Sequence, residues 1–89
     1  EYRARKEQQA ALRKEKAALR RLEAEIEETE ARIAELEAQL GDPAVVSDYE
    51  EVARLSTELD EARSLNEEQF ARWTELSERL EARGDDEGA

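Results

Sequence analysis

Carboxylates and the cations of lysine and arginine are the only side chains abundant enough here to do chemistry. Of 89 residues, 25 are Asp or Glu and 14 are Lys or Arg, while His and Cys are absent. Without imidazole the commonest general base and zinc ligand is missing. Without thiols there is no disulfide scaffold and no thiolate metal site, and redox compartment is left undefined. Adjacent carboxylates such as Glu27–Glu28 and Glu67–Glu68 imitate an acid/base pair. Catalysis would require one of them to be desolvated enough to raise its pKa, and an exposed helix provides nothing that does so. Asp85, Asp86 and Glu87 could hold a divalent cation in principle, but a charged tail is the better reading. The chain contains no glycine-rich phosphate loop, Gly-x-Ser-x-Gly elbow, His-Glu-x-x-His helix or calcium loop. The expectation is a non-enzyme with no catalytic residue, no metal and no cofactor.

The cations carry the one feature that reaches toward a partner. Residues 1 to 21 hold eight bases (Arg3, Arg5, Lys6, Arg13, Lys14, Lys16, Arg20 and Arg21) against Glu1, Glu7 and Glu15, a balance of +5. The other residues balance to −16, which gives the chain its net −11. A basic end of this kind suits phosphates, and the acidic remainder is repelled by them. The plain alternative is a solvated helix face, basic for solubility. Trp73, Phe70 and Tyr2 could stack on bases, although Trp73 falls in an apolar stripe and is expected to pack there.

The elements that must position these residues follow from periodicity. Leu12, Leu19, Leu22, Ile26, Ile33, Leu36 and Leu40 recur at steps of seven, three and four, a heptad with Thr29 as its polar member. Residues 1 to 40 contain no Gly or Pro, so a helix of about 58 Å is expected over 2–40. Gly41 stands where a helix cap belongs, and Asp42-Pro43 bars simple continuation. Ser47 and Glu50 read as a capping box that restarts the chain. A second stripe then runs through Val52, Leu55, Leu59, Ala62, Asn66, Gln69, Trp73, Leu76 and Leu80. The short linker favours folding back, so the fold class is all-α, a two-helix antiparallel coiled-coil hairpin over 1–83. Its parts are a helix over 2–40, a turn over 41–47 and a helix over 48–83, with a disordered C-terminal tail over 84–89.

Leu22, Ile26, Ile33, Leu36, Leu55, Leu59, Trp73 and Leu76 are expected at the core. Whether Thr29 lies near Asn66 or one heptad away is open at this stage. Pairs such as Glu28–Arg32, Glu50–Arg54, Glu68–Arg72 and Glu75–Arg79 add only ~0.2 to 0.5 kcal/mol each. No apolar run approaches a membrane span and no signal-peptide pattern opens the chain, so a cytoplasmic location and no membrane partner are expected. Residues 1 to 11 extend past the returning helix, which leaves a homodimer open.

The run from Arg5-Lys6-Glu7 through Leu12-Arg13-Lys14, the segment LRRLEAEIEETEARIAELEAQLGDP, and the closing RWTEL at 72–76 together resemble a known domain. It is the C-terminal coiled-coil domain of ABC-F ATPases of the Uup-like kind, in which a basic start, a long helix, a Leu-x-Asp-Pro turn and a returning helix with Arg-Trp follow two ATPase cassettes. The resemblance covers about residues 3 to 82, and Leu40-Gly41-Asp42-Pro43 and Arg72-Trp73 are its discriminating parts. It implies a ribosome-associated translation or antibiotic-resistance factor whose cassettes are not in this chain. For this domain it implies binding to ribosomal RNA or DNA, and the charge pattern offers Arg3, Arg5, Lys6, Arg13, Lys14, Lys16, Arg20 and Arg21 as the contacts. The segment LGDPAVVSDYEEVARLSTELDEA also resembles the N-terminal helical part of bacterial peptide-chain release factors. A purely structural or protein-docking coiled coil is the third reading.

Overall fold

The computed structural model describes the backbone of residues 1–88 and the side-chain environments of residues 1–83. The chain is all-α: α1 spans Tyr2–Leu40, α2 spans Pro43–Val46 and α3 spans Tyr49–Gly88. Residues early in α1 pair with residues late in α3, and residues late in α1 pair with residues early in α3. Glu15 meets Arg83 at 3.3 Å and Glu23 meets Trp73 at 3.0 Å. Arg32 meets Glu58 at 3.1 Å and Glu37 meets Arg63 at 3.0 Å. The two long helices therefore run in opposite directions along a molecule of 67 × 18 × 14 Å.

Three helices stand where two were expected, because the connection contains one of its own. Asp42 is extended (φ −74°, ψ 123°), as the residue before a proline prefers, and its Oδ1 accepts from the Ala44 amide at 3.0 Å. Pro43 then occupies the first helical turn, where its missing N–H costs nothing. The dipeptide that stops α1 thus starts α2. Gly41 closes α1 in the ordinary right-handed conformation (φ −88°, ψ −8°), its N–H directed to the carbonyls of Glu37 and Ala38.

The start of α3 also differs from expectation. Its cap is Asp48, whose Oδ1 accepts from the Glu51 amide at 3.2 Å. Ser47 is occupied elsewhere, donating its hydroxyl to the Ala44 carbonyl at 3.1 Å. The carboxylate one residue later is the stronger acceptor for the first-turn amides, so the cap shifts from Ser47 to Asp48. The reciprocal half of a capping box is not made, since the Asp48 amide donates to the Val45 carbonyl and the Glu51 carboxylate pairs with Arg54. At the other end, α3 continues through Gly88, past the stop expected at Arg83 and into the segment expected to be a disordered tail. A glycine such as Gly84 weakens a helix by ~1 kcal/mol but, unlike proline, does not block its hydrogen bonds. Ala89 lies outside the described residues.

Packing follows the heptad. Leu12, Leu22, Ile26 and Leu36 from α1 are buried with Leu55 and Leu59 from α3, and Leu36 and Leu55 are almost wholly enclosed. Around Leu36, Leu55 and Leu59 sit the partly buried Ile33, Leu40, Val45 and Ala62. Val45 shows what α2 does: it closes the end of the seam next to the turn. Of the expected core, Ile33, Trp73 and Leu76 are only half-buried. A two-helix seam has one contact face, so residues a little off its centre keep one side in solvent. The pairing that sets Leu36 beside Leu55 and Leu59, and Glu23 beside Trp73, brings Thr29 level with the Asn66–Gln69 turn.

Candidate functional site

All eight bases of the first 21 residues lie on the N-terminal half of α1, and all eight are exposed. Their helix exists because Ala, Glu, Arg, Lys and Gln fill the positions outside the stripe, each a good helix former. Leu12 and Leu22 turn one side of that half toward α3 and so fix which sides face water.

The cations are not spread evenly around the helix. Lys6, Arg13 and Arg20 repeat every seven residues, nearly two full turns, and form one line. Arg5 and Lys16 lie on the same flank between that line and the seam. Tyr2, Arg5, Lys6, Gln9 and Arg13 frame one shallow groove along the helix. Arg3, Lys14 and Arg21 form a second line, rotated from the first by about 90° at ~100° per residue. The charge count along the sequence groups the eight as one basic end and leaves these two lines unseparated. The seven-residue repeat of Lys6, Arg13 and Arg20 is the signal that separates them.

Among the described residues, none of the eight takes part in an ion pair. The cross-helix ion pair of this half uses Glu15 with Arg83 instead, and Glu15 Oε2 is buried without a hydrogen-bond partner. The arginines that are paired lie toward the turn. Arg54 is bonded to Glu51 and to Glu58, the latter at 3.1 Å, and Glu58 also accepts from Arg32. The Arg54 guanidinium is held above its usual value, chiefly by its hydrogen bond to Glu51. Arg54 is thus paired with Glu51 and Glu58 rather than with Glu50, and Arg32 with Glu35 and Glu58 rather than with Glu28.

The aromatic candidates separate as well. Trp73 is half-buried and donates its indole N–H to Glu23 Oε2 at 3.0 Å, so its edge is committed to α1 one turn beyond Arg20. Tyr2 is 79% exposed and borders the basic groove, whereas Phe70 lies on α3 with 43% of its surface exposed.

Glu27, Glu28, Glu67 and Glu68 are all exposed. Among the described residues no group of three or more His, Cys, Asp or Glu is placed to hold a metal. The side chains of Asp85, Asp86 and Glu87 lie outside the described residues. Among the described residues no helix is long and apolar enough to cross a membrane. The site presents fixed positive charge along one half of a long helix.

Comparison with curated proteins and with solved structures returned no match in either case. Comparison with protein families did: residues 10–78 match the model described as the ABC transporter C-terminal domain. That interval runs from just before Leu12 through the turn to Leu76, taking in the seam and most of the basic half. An all-α chain with a heptad seam, matched over most of its length, thus belongs to the ABC transporter C-terminal domain family.

Proposed function

We propose that this chain is the non-catalytic nucleic-acid-binding domain of an ABC-F ATPase, built as an antiparallel coiled-coil hairpin and acting in translation or antibiotic resistance. The observation that carries it is the exposure of Arg3, Arg5, Lys6, Arg13, Lys14, Lys16, Arg20 and Arg21 on one half of α1 in an otherwise acidic protein. Ribosomal RNA or DNA is the partner, held through phosphates with little preference for sequence. No recognition element presents Asn, Gln and Arg together toward base edges. The ATPase cassettes of the parent protein supply the hydrolysis, and the domain acts in the cytoplasm.

A protein-docking spacer is the competing reading, and the exposure of Tyr49, Leu65 and Phe70 is what favours it. Leu65 and Phe70 are five residues apart, about 140° around the helix, so they do not form one patch. Isolated surface apolar residues of this kind are ordinary. The test is fluorescence anisotropy with labelled RNA and DNA at several salt concentrations, comparing the parent with Arg13, Lys14, Arg20 and Arg21 all changed to Glu. Parent binding should weaken steeply with salt, and the variant should lose it. Equal, salt-independent signals from both proteins would favour the spacer.

A further inference from the structure

We infer that the phosphate-contacting surface is one flank of α1, the stripe of Arg5, Lys6, Arg13, Lys16 and Arg20 with Gln9 and Tyr2 between and beside them, and that the line of Arg3, Lys14 and Arg21 is not part of it. The inference rests on the nucleic-acid reading and divides residues that this reading treats alike.

Three observations carry it. Five of the eight cations fall on the stripe, and Tyr2, Arg5, Lys6, Gln9 and Arg13 frame a continuous groove along the helix. The second line holds only three cations. Spacing also fits the ligand. From Arg5 to Arg20 the straight helix rises about 22 Å at ~1.5 Å per residue. A duplex strand carries one charge every ~3.4 Å of axis but winds around that axis, so only the phosphates on the near side of the duplex face the helix. Cations spread along this length can reach those near-side phosphates. Gln9 adds an uncharged donor inside the row, and Tyr2 stands at its open end beside the sugar–phosphate edge.

The ligand chemistry is a run of phosphodiesters on one strand of a duplex, common to RNA and DNA. The two sources are separated by using one duplex of each. If all five cations are engaged, the logarithm of affinity against the logarithm of salt should slope at about −4.5, near −0.9 per contact.

The experiment compares two triple variants of equal charge, K6A/R13A/R20A and R3A/K14A/R21A, in the full chain. Each removes three positive charges, so the change in long-range field is the same for both, and alanine keeps the helix. Far-UV circular dichroism checks folding. If either alanine triple loses helix, the corresponding glutamine triple replaces it. For K6A/R13A/R20A the slope should fall by about 2.7, three contacts' worth. For R3A/K14A/R21A it should stay within about one contact of the parent. That result on either duplex supports the stripe, and the duplex bound more tightly names the source. Equal losses from the two triples would overturn the single-flank assignment while leaving nucleic-acid binding intact. A parent that binds neither duplex in a salt-dependent way would overturn the underlying reading, and the stripe with it.

Discussion

Gly41 and Gln69 show how far a residue's type can mislead about its role. A glycine after a long helix suggests a left-handed cap, yet Gly41 is right-handed, and a methyl group added there would meet the carbonyl oxygens of Ala38 and Glu37 at 3.5 and 3.6 Å, ordinary contact distances. Gly41→Ala should therefore be neutral or stabilising by up to ~1 kcal/mol, since it only narrows the unfolded ensemble. Chemical denaturation would show it, and a clear drop in stability would mean that the turn needs glycine after all. Gln69 is buried at 8% exposure with Oε1 unpartnered, Asn66 Oδ1 is likewise unpartnered, and Thr29 turns its hydroxyl back to the Glu25 carbonyl at 3.0 Å. The polar layer thus does not bond across the seam. Gln69→Leu should raise stability by about 1 kcal/mol, because a buried amide without a partner is replaced by an apolar side chain of similar size. The thermal midpoint should rise, and a fall would show that the amide has a partner in solution. Sequence marked these three positions as polar entries in the stripe. It did not reveal whether they would bond to each other, because that depends on rotamers and not on spacing.

At the scale of the element, the long helices were legible and their connection was not. Uninterrupted helix formers and a steady three–four spacing leave little choice over α1, and its bounds, Tyr2–Leu40, follow from Gly41 and Pro43. The connection turns on competition between neighbouring acceptors of comparable strength, which spacing alone does not rank. Asp42, Ser47 and Asp48 can each cap, and only the fold shows that Asp42 caps α2, Ser47 bonds backward and Asp48 caps α3. Asp48→Ala should cost ~1 kcal/mol by removing the acceptor of the Glu51 amide and a negative charge at a helix start. Ser47→Ala should cost clearly less. Paired unfolding curves compare the two, and the reverse order would restore Ser47 as the cap. The basic flank was legible only in part for the same kind of reason: charge counting finds the eight cations, while their division into two lines needs the helical angle measured from the buried side.

For the whole molecule, stability rests on a single seam with its best-packed portion near the turn. Leu36 is completely enclosed whereas Ile33 is only half-buried, so Leu36→Ala should cost ~2 to 5 kcal/mol and Ile33→Ala distinctly less. Thermal unfolding of the two variants tests this, and equal losses would move the centre of the core toward Ile33. The exposed ion pairs that bridge the helices, Arg32–Glu58 and Arg63–Glu37, contribute at most ~1 kcal/mol each and serve register more than stability. Likeness to the terminal domain of ABC proteins was readable in the turn and the Arg-Trp ending, and the family match from 10 to 78 bears it out. The rival likeness to release factors gains nothing from that match.

The 67 Å length has a further consequence when it is combined with the segregation of charge. A body this long, positive over the first half of α1 and negative elsewhere, feels a torque near any polyanion. Attraction of one end and repulsion of the other turn it before contact, so that approach with the Asp42–Glu51 end leading is penalised. Screening confines this to roughly a Debye length, ~8 Å at physiological ionic strength, far less than the molecule's long axis. The field is therefore felt locally, by whichever part of the molecule lies nearest, and the two ends respond to a polyanion independently.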